Sequence, residues 1–427
     1  MRILVVGSGG REHALAWRLA RSGHEVLAAP GNPGIARVAR CHDVAADDVP
    51  GLVRLAREES ADLVVVGPEA PLALGLADAL ADAGVAAFGP TRAAARLESS
   101  KAFAKEFMAR HEIPTAPFRV VESVESALEA ARGFGWPAVL KVDGLAAGKG
   151  VLVAHGAAEA RAFAEACLEE HRFGEAGARL VVEAHLAGEE TSLFFLSDGS
   201  RVARFLPARD YKRLADGDRG PNTGGMGAFA PAGLEPGLAA RIETDVALKT
   251  LRGMADEGAP FRGLLYVGLM LGAAGPRVLE FNARFGDPET QVLMPLVVSD
   301  LGVLLAECAR GELRSPLEFE DGAAVGVVLA AEGYPEAPRA GGTIEGLERW
   351  PEAVAEDADE RWCFQAGTRV EKGRTIAAGG RVLTVVARAR GLAEARRRAY
   401  EGLDRLRLAG GQARRDVALA TTPAGHG

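Results

Sequence analysis

Short apolar runs alternate with stretches of helical spacing from the first residues onward. Arg2–Gly7 reads as a strand buried on both faces, and Glu12–Arg21 carries apolar positions at helical intervals. Glu25–Ala29, Asp62–Gly67 and Val85–Gly89 are further strand runs, with helical stretches at Leu52–Glu59 and Leu72–Ala83 between them. Such a βαβ series predicts an open parallel sheet with helices on both faces, ending near residue 100.

The pattern then changes. Ser99–His111 predicts a connecting helix. A smaller α/β unit follows: strand Ala138–Val142, a glycine-rich loop, strand Val151–Ala154, helix Ala158–His171 and strand Arg179–Leu186. More strands are expected at Thr191–Leu196, Arg201–Leu206, Leu264–Leu271 and Arg277–Phe281, with a helix over Leu234–Asp256. The stretch RDYKRLADGDRGPNTGGMGAF (209–229) is polar and glycine-rich, which predicts a long functional loop. The tail has β-rich runs, AVGVVLAA and GGRVLTVVARA, and a final helix around Leu392–Leu406.

Composition narrows the class. The 427 residues are 48% hydrophobic and 25% charged, as in a well-packed protein, and their length suits two to four domains. A net charge of −8 argues against nucleic-acid binding driven by overall charge. Cys41, Cys167, Cys308 and Cys363 are far apart, which disfavours a zinc site or disulfide framework and fits a reducing compartment. Neither a signal peptide nor a membrane span is evident, so a cytoplasmic location is expected.

The opening GSGGREH departs from the dinucleotide fingerprint, because Glu12 stands where the third glycine belongs. A glycine turn at a helix N-terminus still aims N–H groups at an anion, and Arg11 adds a guanidinium. A sugar-phosphate site and an ordinary strand-to-helix turn explain the motif equally well. PGNPG and GPEAPL follow other strands, so Asn32 and Glu69 could hold hydroxyls or an amine, although each loop alone reads as a turn.

VLKVDGLAAGKGV is not a Walker A loop, because only three residues separate Gly144 from Gly148. A glycine loop between two strands can still cover the phosphates of ATP, with Lys141 aimed inward from the entering strand. Backbone at Glu183–Leu186 could meet an adenine edge and Glu190 a ribose; a carboxylate pair at a strand end is more often simply solvated. Glu280 and Asn282, two apart on a strand, share one face and suit Mg²⁺. Arg284 follows on that face and could grip a carboxylate or phosphoryl group, and Asp287 could engage an amine.

Taken together, GSGGREHALAW, APGN, GPEAPL, KVDGLAAGKGV, GPNTGGMGA and EFNARFGDPETQ make the chain, from about residue 1 to 420, resemble the glycinamide ribonucleotide synthetases of the ATP-grasp superfamily. The resemblance implies an α/β (α+β overall) ATP-grasp fold: an open parallel α/β substrate-binding domain at 1–100, an ATP-grasp domain at 101–325 with a mobile lid at about 115–188, and a β-rich domain at 326–427. It implies ATP-dependent joining of glycine to 5-phosphoribosylamine through glycyl phosphate, with Mg²⁺ or Mn²⁺ as the metal. Lys105, Lys141, Gly148, Lys149, Glu183, Leu186 and Glu190 would then hold ATP, and Glu280 and Asn282 the metal. Gly9, Gly10, Arg11, Glu12, Asn32 and Glu69 would line the phosphoribosylamine site. Asp210, Asn222, Thr223, Arg284 and Asp287 would serve glycine and the acyl phosphate, with Arg284, Asp287 and Asp210 as catalytic candidates. Partners would be small molecules, with neither nucleic acid nor membrane, and with room for transient contact with neighbouring purine-pathway enzymes.

Three departures from the family pattern stand out. Gly268 occupies the place of a further acidic metal ligand. Arg209-Asp210-Tyr211-Lys212 replaces Gln-Asp-His-Lys, and Gln365-Ala366-Gly367-Thr368 replaces His-Ala-Gly-Thr. Rival readings are another ATP-grasp ligase or carboxylase, which should lack GPNTGGMGA; a nicotinamide-dependent oxidoreductase, which Glu12 opposes; and a non-catalytic nucleotide-binding regulator.

Overall fold

The computed structural model describes residues 1–146, 150–350 and 360–419. Its amino-terminal unit is a five-stranded parallel sheet in the order Arg40–Cys41, Glu25–Pro30, Arg2–Gly7, Leu63–Val66, Ala87–Phe88. Arg2–Gly7 lies at the centre, with Gly7 level with Pro30 on one side and Val6 level with Val66 on the other. The connections leave this strand in opposite directions, so a crevice opens at its carboxyl end, where ligands of open α/β sheets collect. The turns after Gly7, Pro30 and Gly67 all reach that end.

Four of the five strands fall on the expected runs, and the short edge strand Arg40–Cys41 was not expected. The expected helix Leu72–Ala83 is instead two, Glu69–Ala73 and Leu76–Asp82, because Gly75 between them takes φ 89°. A second unit has the antiparallel order Phe118–Val121, Leu180–Ala184, Ala138–Val142, Val151–Ala154. Helices Val124–Phe134 and Ala157–Leu168 cover it and give it a core of its own. A central antiparallel sheet runs Val202–Arg204, Glu189–Asp198, Arg262–Gly272, Gly275–Asn282.

The long loop expected at 209–229 is a correction. It contains the short strands Arg209–Asp210, Arg213–Ala215, Arg219–Asn222 and Gly227–Ala230. Arg213–Ala215 and Arg219–Asn222 form a hairpin, and Gly227–Ala230 pairs with Ala323–Ala330. Backbone pairing does not require apolar side chains where both faces of a hairpin meet solvent or a cleft, so polarity concealed these strands. The resulting five-stranded sheet runs Arg209–Asp210, Gly227–Ala230, Ala323–Ala330, Arg381–Ala389, Arg361–Gln365. It thus joins the middle of the chain to its far end. The expected helix Leu234–Asp256 begins at Pro236, and its middle, Glu243–Leu248, is wound as a π-helix. Among the described residues, no helix is long and apolar enough to cross a membrane.

Candidate active site

One cavity of about 1100 Å³ is lined from all of these units. Of the residues singled out in the sequence, Lys105, Lys141, Glu183, Leu186 and Glu190 line it, as do Arg11, Glu69, Asp210, Asn222 and Thr223. Glu280, Asn282, Arg284 and Asp287 line it as well. Gly9, Gly10, Glu12 and Asn32 are not among its lining residues, and Gly148 and Lys149 lie outside the described residues.

At one end, two buried lysines share a carboxylate. Lys105 Nζ lies 2.9 Å from Glu183 Oε2, and Lys141 Nζ lies 2.9 Å from Glu183 Oε1. Lys105 also donates to Thr115 Oγ1 at 2.7 Å, and Lys141 to the Leu279 carbonyl at 3.1 Å. Burial, reinforced by the Lys141 charge, pushes Lys105 down to about 8, although Glu183 opposes the shift. Backbone at Glu183–Leu186 was expected to meet adenine; the Glu183 carboxylate itself faces the lysines, because two buried ammonium groups need a negative partner. Glu190 Oε2 accepts from Lys212 Nζ at 2.7 Å.

The acidic strand comes next. Glu280 is level with Gly268 and Asn282 with Tyr266, and a register shift beyond Gly268 lets Val278 and Phe281 both enter the core. Glu280 and Asn282 therefore face the cavity together. Burial raises the Glu280 pKa, but Lys212, Lys141, Lys101 and Arg284 outweigh it and hold the carboxyl below its usual range. None of the hydrogen bonds or ion pairs among the described residues engages this carboxylate. An ionised, unengaged carboxylate beside an amide oxygen is a fitting donor pair for a hard cation that keeps other positions for phosphate and water. No group of three His, Cys, Asp or Glu suited to a metal occurs among the described residues.

The amino-terminal turn is organised by Glu12. Its Oε2 accepts from the Gly9 N–H at 2.6 Å, and its Oε1 from Arg11 Nε at 2.5 Å. A Cβ at Gly9 would stand 2.6 Å from Glu12 Oε2, and one at Gly67 2.1 Å from Oε1. The buried glutamate that seemed to oppose close packing is thus housed where glycine leaves space. The Asn32 amide is saturated: Nδ2 donates to the Ser8 and Gln365 carbonyls at 2.7 and 2.9 Å, and Oδ1 accepts from Gly34 and Ile35 at 2.8 and 2.9 Å. The Asn32 amide therefore forms a clasp between two units of the chain. Gln365 belongs to that clasp, since its N–H donates to His13 Nδ1 at 2.8 Å.

Arg284 bridges acids from two elements, at 3.3 Å from Glu69 Oε2 and 2.8 Å from Glu98 Oε1. Its Nη2 also donates to Asn282 Oδ1 at 3.2 Å, which ties it to the acidic strand. Burial works against the Glu69 charge, but Arg284 and Arg11 hold its pKa below the ordinary value. Burial pushes Asp210 up to about 7, against Lys212 and with help from Glu289 and Glu190. Thr223 Oγ1 donates to the Lys212 carbonyl at 2.8 Å and accepts from Gly225 N–H at 3.0 Å, shaping the turn. Sequence reasoning missed Glu98, Lys101, Lys212, Tyr334 and Arg381, all of which line the cavity. Lys212 and Arg381 lie within quoted stretches but were given no role there; the others lie on unremarkable segments.

A grasping pair of antiparallel sheets around paired lysines and an acidic strand defines an ATP-grasp protein. Solved structures agree: a biotin carboxylase from Campylobacter jejuni in complex with β-γ-ATP shares the fold with a TM-score of 0.75 at 16% identity, over 98% of this chain and 94% of that one. Residues 1–98, 99–290 and 324–420 match the N, ATP-grasp (A) and C domains of phosphoribosylglycinamide synthetase, and the chain belongs to that family. It is 48% identical to a phosphoribosylamine–glycine ligase from Allochromatium vinosum over 98% of each chain. It is 49% identical to one from Caulobacter vibrioides over 98% of this chain and 97% of that one. The crystal structure of the Thermotoga maritima ligase superposes with a TM-score of 0.85 at 37% identity, over 97% of this chain and all of the other.

Proposed function

We propose that the chain joins glycine to 5-phosphoribosylamine with ATP, forming glycinamide ribonucleotide, ADP and phosphate in purine biosynthesis. The observation that carries this reading is the single cavity shared by the lysine pair, the Glu280–Asn282 pair and the Arg11–Glu69 crevice. A carboxylate is a poor acyl donor, so its activation needs a leaving group. The glycine carboxylate attacks the γ-phosphorus, ADP departs, and glycyl phosphate remains. The amine of phosphoribosylamine then attacks the acyl carbon, loses a proton and expels phosphate. No side-chain nucleophile is required, because positioning and charge neutralisation carry the transfer.

Lys105 and Lys141 are read as neutralising the phosphates, with the Glu183–Leu186 segment and Glu190 toward adenosine. Glu280 and Asn282 are read as holding Mg²⁺ or Mn²⁺, which when bound would supply positive charge to neutralise the ATP phosphates. Arg284 is read as stabilising the transferring phosphoryl group, with Asp210, Asn222 and Thr223 toward glycine. Arg11, Glu69 and the Gly9–Gly10 turn are read as the sugar-phosphate end, with Glu12 shaping the turn. The lid at about 115–188, with its own core, is read as closing over ATP and excluding water that would hydrolyse the acyl phosphate. The other units are read as 1–100, the remainder of 101–325, and 326–427, whose sheet includes two strands from the middle of the chain. A cytoplasmic setting and passing contact with neighbouring pathway enzymes suit a labile amine substrate.

The test is ADP release with glycine and freshly made phosphoribosylamine supplied singly and together, with products read by mass. ADP formed only with both, matched by glycinamide ribonucleotide, supports the reading. ADP formed with a different acid would move the activity to another ligase of the same fold.

A further inference from the structure

Gly224 and Asp287 lie in two loops far apart in sequence, and residues from the far end of the chain hold both. The Gly224 N–H donates to Tyr334 Oη at 2.9 Å. Arg381 Nη1 donates to the Gly224 carbonyl at 2.5 Å and to the Asp287 carbonyl at 2.7 Å. Its Nη2 lies 3.1 Å from Asp287 Oδ2, while Gln291 Nε2 donates to Oδ1 at 2.7 Å. Arg381 opens the strand Arg381–Ala389, which is paired on both sides, so the guanidinium projects from a rigid support.

The fit is close. A Cβ at Gly225 would stand 2.5 Å from the Pro288 ring, and one at Gly380 2.4 Å from the Tyr334 ring. Asp287 Oδ2 lies 3.6 Å from where a Gly9 Cβ would stand, so this carboxylate faces the amino-terminal turn.

We propose that Arg381 is a positioning residue supplied by the carboxy-terminal sheet: it fixes the Asp287 carboxylate beside the Gly9 turn to receive the amine of phosphoribosylamine. The same guanidinium, with Tyr334, pins the Gly224 turn against the loop that carries Asp287. This rests on the ligase reading above. When the amine attacks, its nitrogen gains positive charge and then sheds a proton, and a fixed carboxylate favours that change. Burial opposes ionisation of Asp287, but Arg381 and Arg11 outweigh it and hold its pKa below the usual carboxylate value. The planar fork reaches two carbonyls from Nη1 and the carboxylate from Nη2, a spread that a lysine's single ammonium covers less well.

The experiment uses the full chain with Arg381→Met, Arg381→Lys and Tyr334→Phe. Arg381→Met should raise KM for phosphoribosylamine about tenfold or more with KM for ATP within about twofold, and Arg381→Lys should recover part of the loss. Hydrogen exchange at the Gly224 and Gly225 amides should quicken in all three variants. If Arg381→Met does not fold, the other two still carry the test. A KM for phosphoribosylamine unchanged in a folded Arg381 variant, or unchanged exchange at Gly224, overturns the proposal. If the parent enzyme joins no glycine to phosphoribosylamine, the ligase reading fails and the amine role with it, while exchange at Gly224 still decides whether Arg381 holds the turn.

Discussion

Glu183 offers one carboxylate oxygen to Lys105 and the other to Lys141, each at 2.9 Å, and all three side chains are buried. One negative charge thus holds two positive charges at the end of the cavity assigned to ATP phosphates. Glu183→Gln removes it and leaves both ammonium groups facing each other. Urea unfolding should register a loss of about 3–5 kcal/mol, the range for breaking a buried pair. Added ATP should stabilise this variant more than the parent, because phosphate replaces the missing charge. Equal stabilisation by ATP would separate the lysine pair from the nucleotide.

Glu280→Ala should remove the strongest Mn²⁺ site in an electron-spin titration. It should also lower metal-dependent turnover by about a hundredfold or more, since even the partners of metal ligands contribute that order. The carboxylate has no hydrogen bond to lose among the described residues, so the variant should still fold. Unchanged turnover at ordinary Mg²⁺ would remove Glu280 from the metal site.

Asp210 titrates near 7 in the folded chain, against about 3.9 when unfolded. Between those values the folded chain binds more protons, so this group makes stability fall as pH rises from about 4 to 7. Asp210→Asn should flatten that fall relative to the parent in unfolding experiments across the range. Parallel curves for the two proteins would show that Asp210 ionises freely.

His13 gives the opposite slope. Burial pushes its imidazole down to about 3, opposed by a hydrogen bond to the Gln365 backbone, and the nearby Arg37 charge adds to the fall. The unfolded chain takes up this proton below about 6.5, so stability declines as pH drops from there toward 3. His13→Ala should lose about 1–3 kcal/mol at neutral pH, because the Gln365 N–H loses its acceptor, and should show a shallower acid decline.

Gly67→Ala tests the pocket that houses Glu12. A Cβ there would stand 2.1 Å from Glu12 Oε1. The carboxylate must shift, and about 1–3 kcal/mol of stability should go with it. Unchanged stability would mean that the turn adapts freely.

Four strands of the parallel sheet were legible because a strand buried on both faces must be apolar throughout, whereas the partly exposed edge strand Arg40–Cys41 carries no such pattern. Glu280 and Asn282 were legible for a related reason: two polar residues flanking a core phenylalanine on a strand must share a face. The 209–229 strands were not, because their pairing uses backbone groups that sequence polarity does not report. The clasp at Asn32 was hidden for the same kind of reason: its partners at Ser8 and Gln365 are carbonyls, and any residue could supply them.

Local pattern, then, determined the longer strands of the parallel sheet, the amino-terminal glycine turn, the inward Lys141 and the acidic strand, since each follows from periodicity or from the cost of burying charge. Only the tertiary structure decided which charge answers which. Glu183 turned to the lysines, Glu12 to the Gly9 turn, Glu98 to Arg284 and Arg381 to Asp287. Ion pairs act through a few ångströms of space, and the chain brings those ångströms together only when distant segments pack.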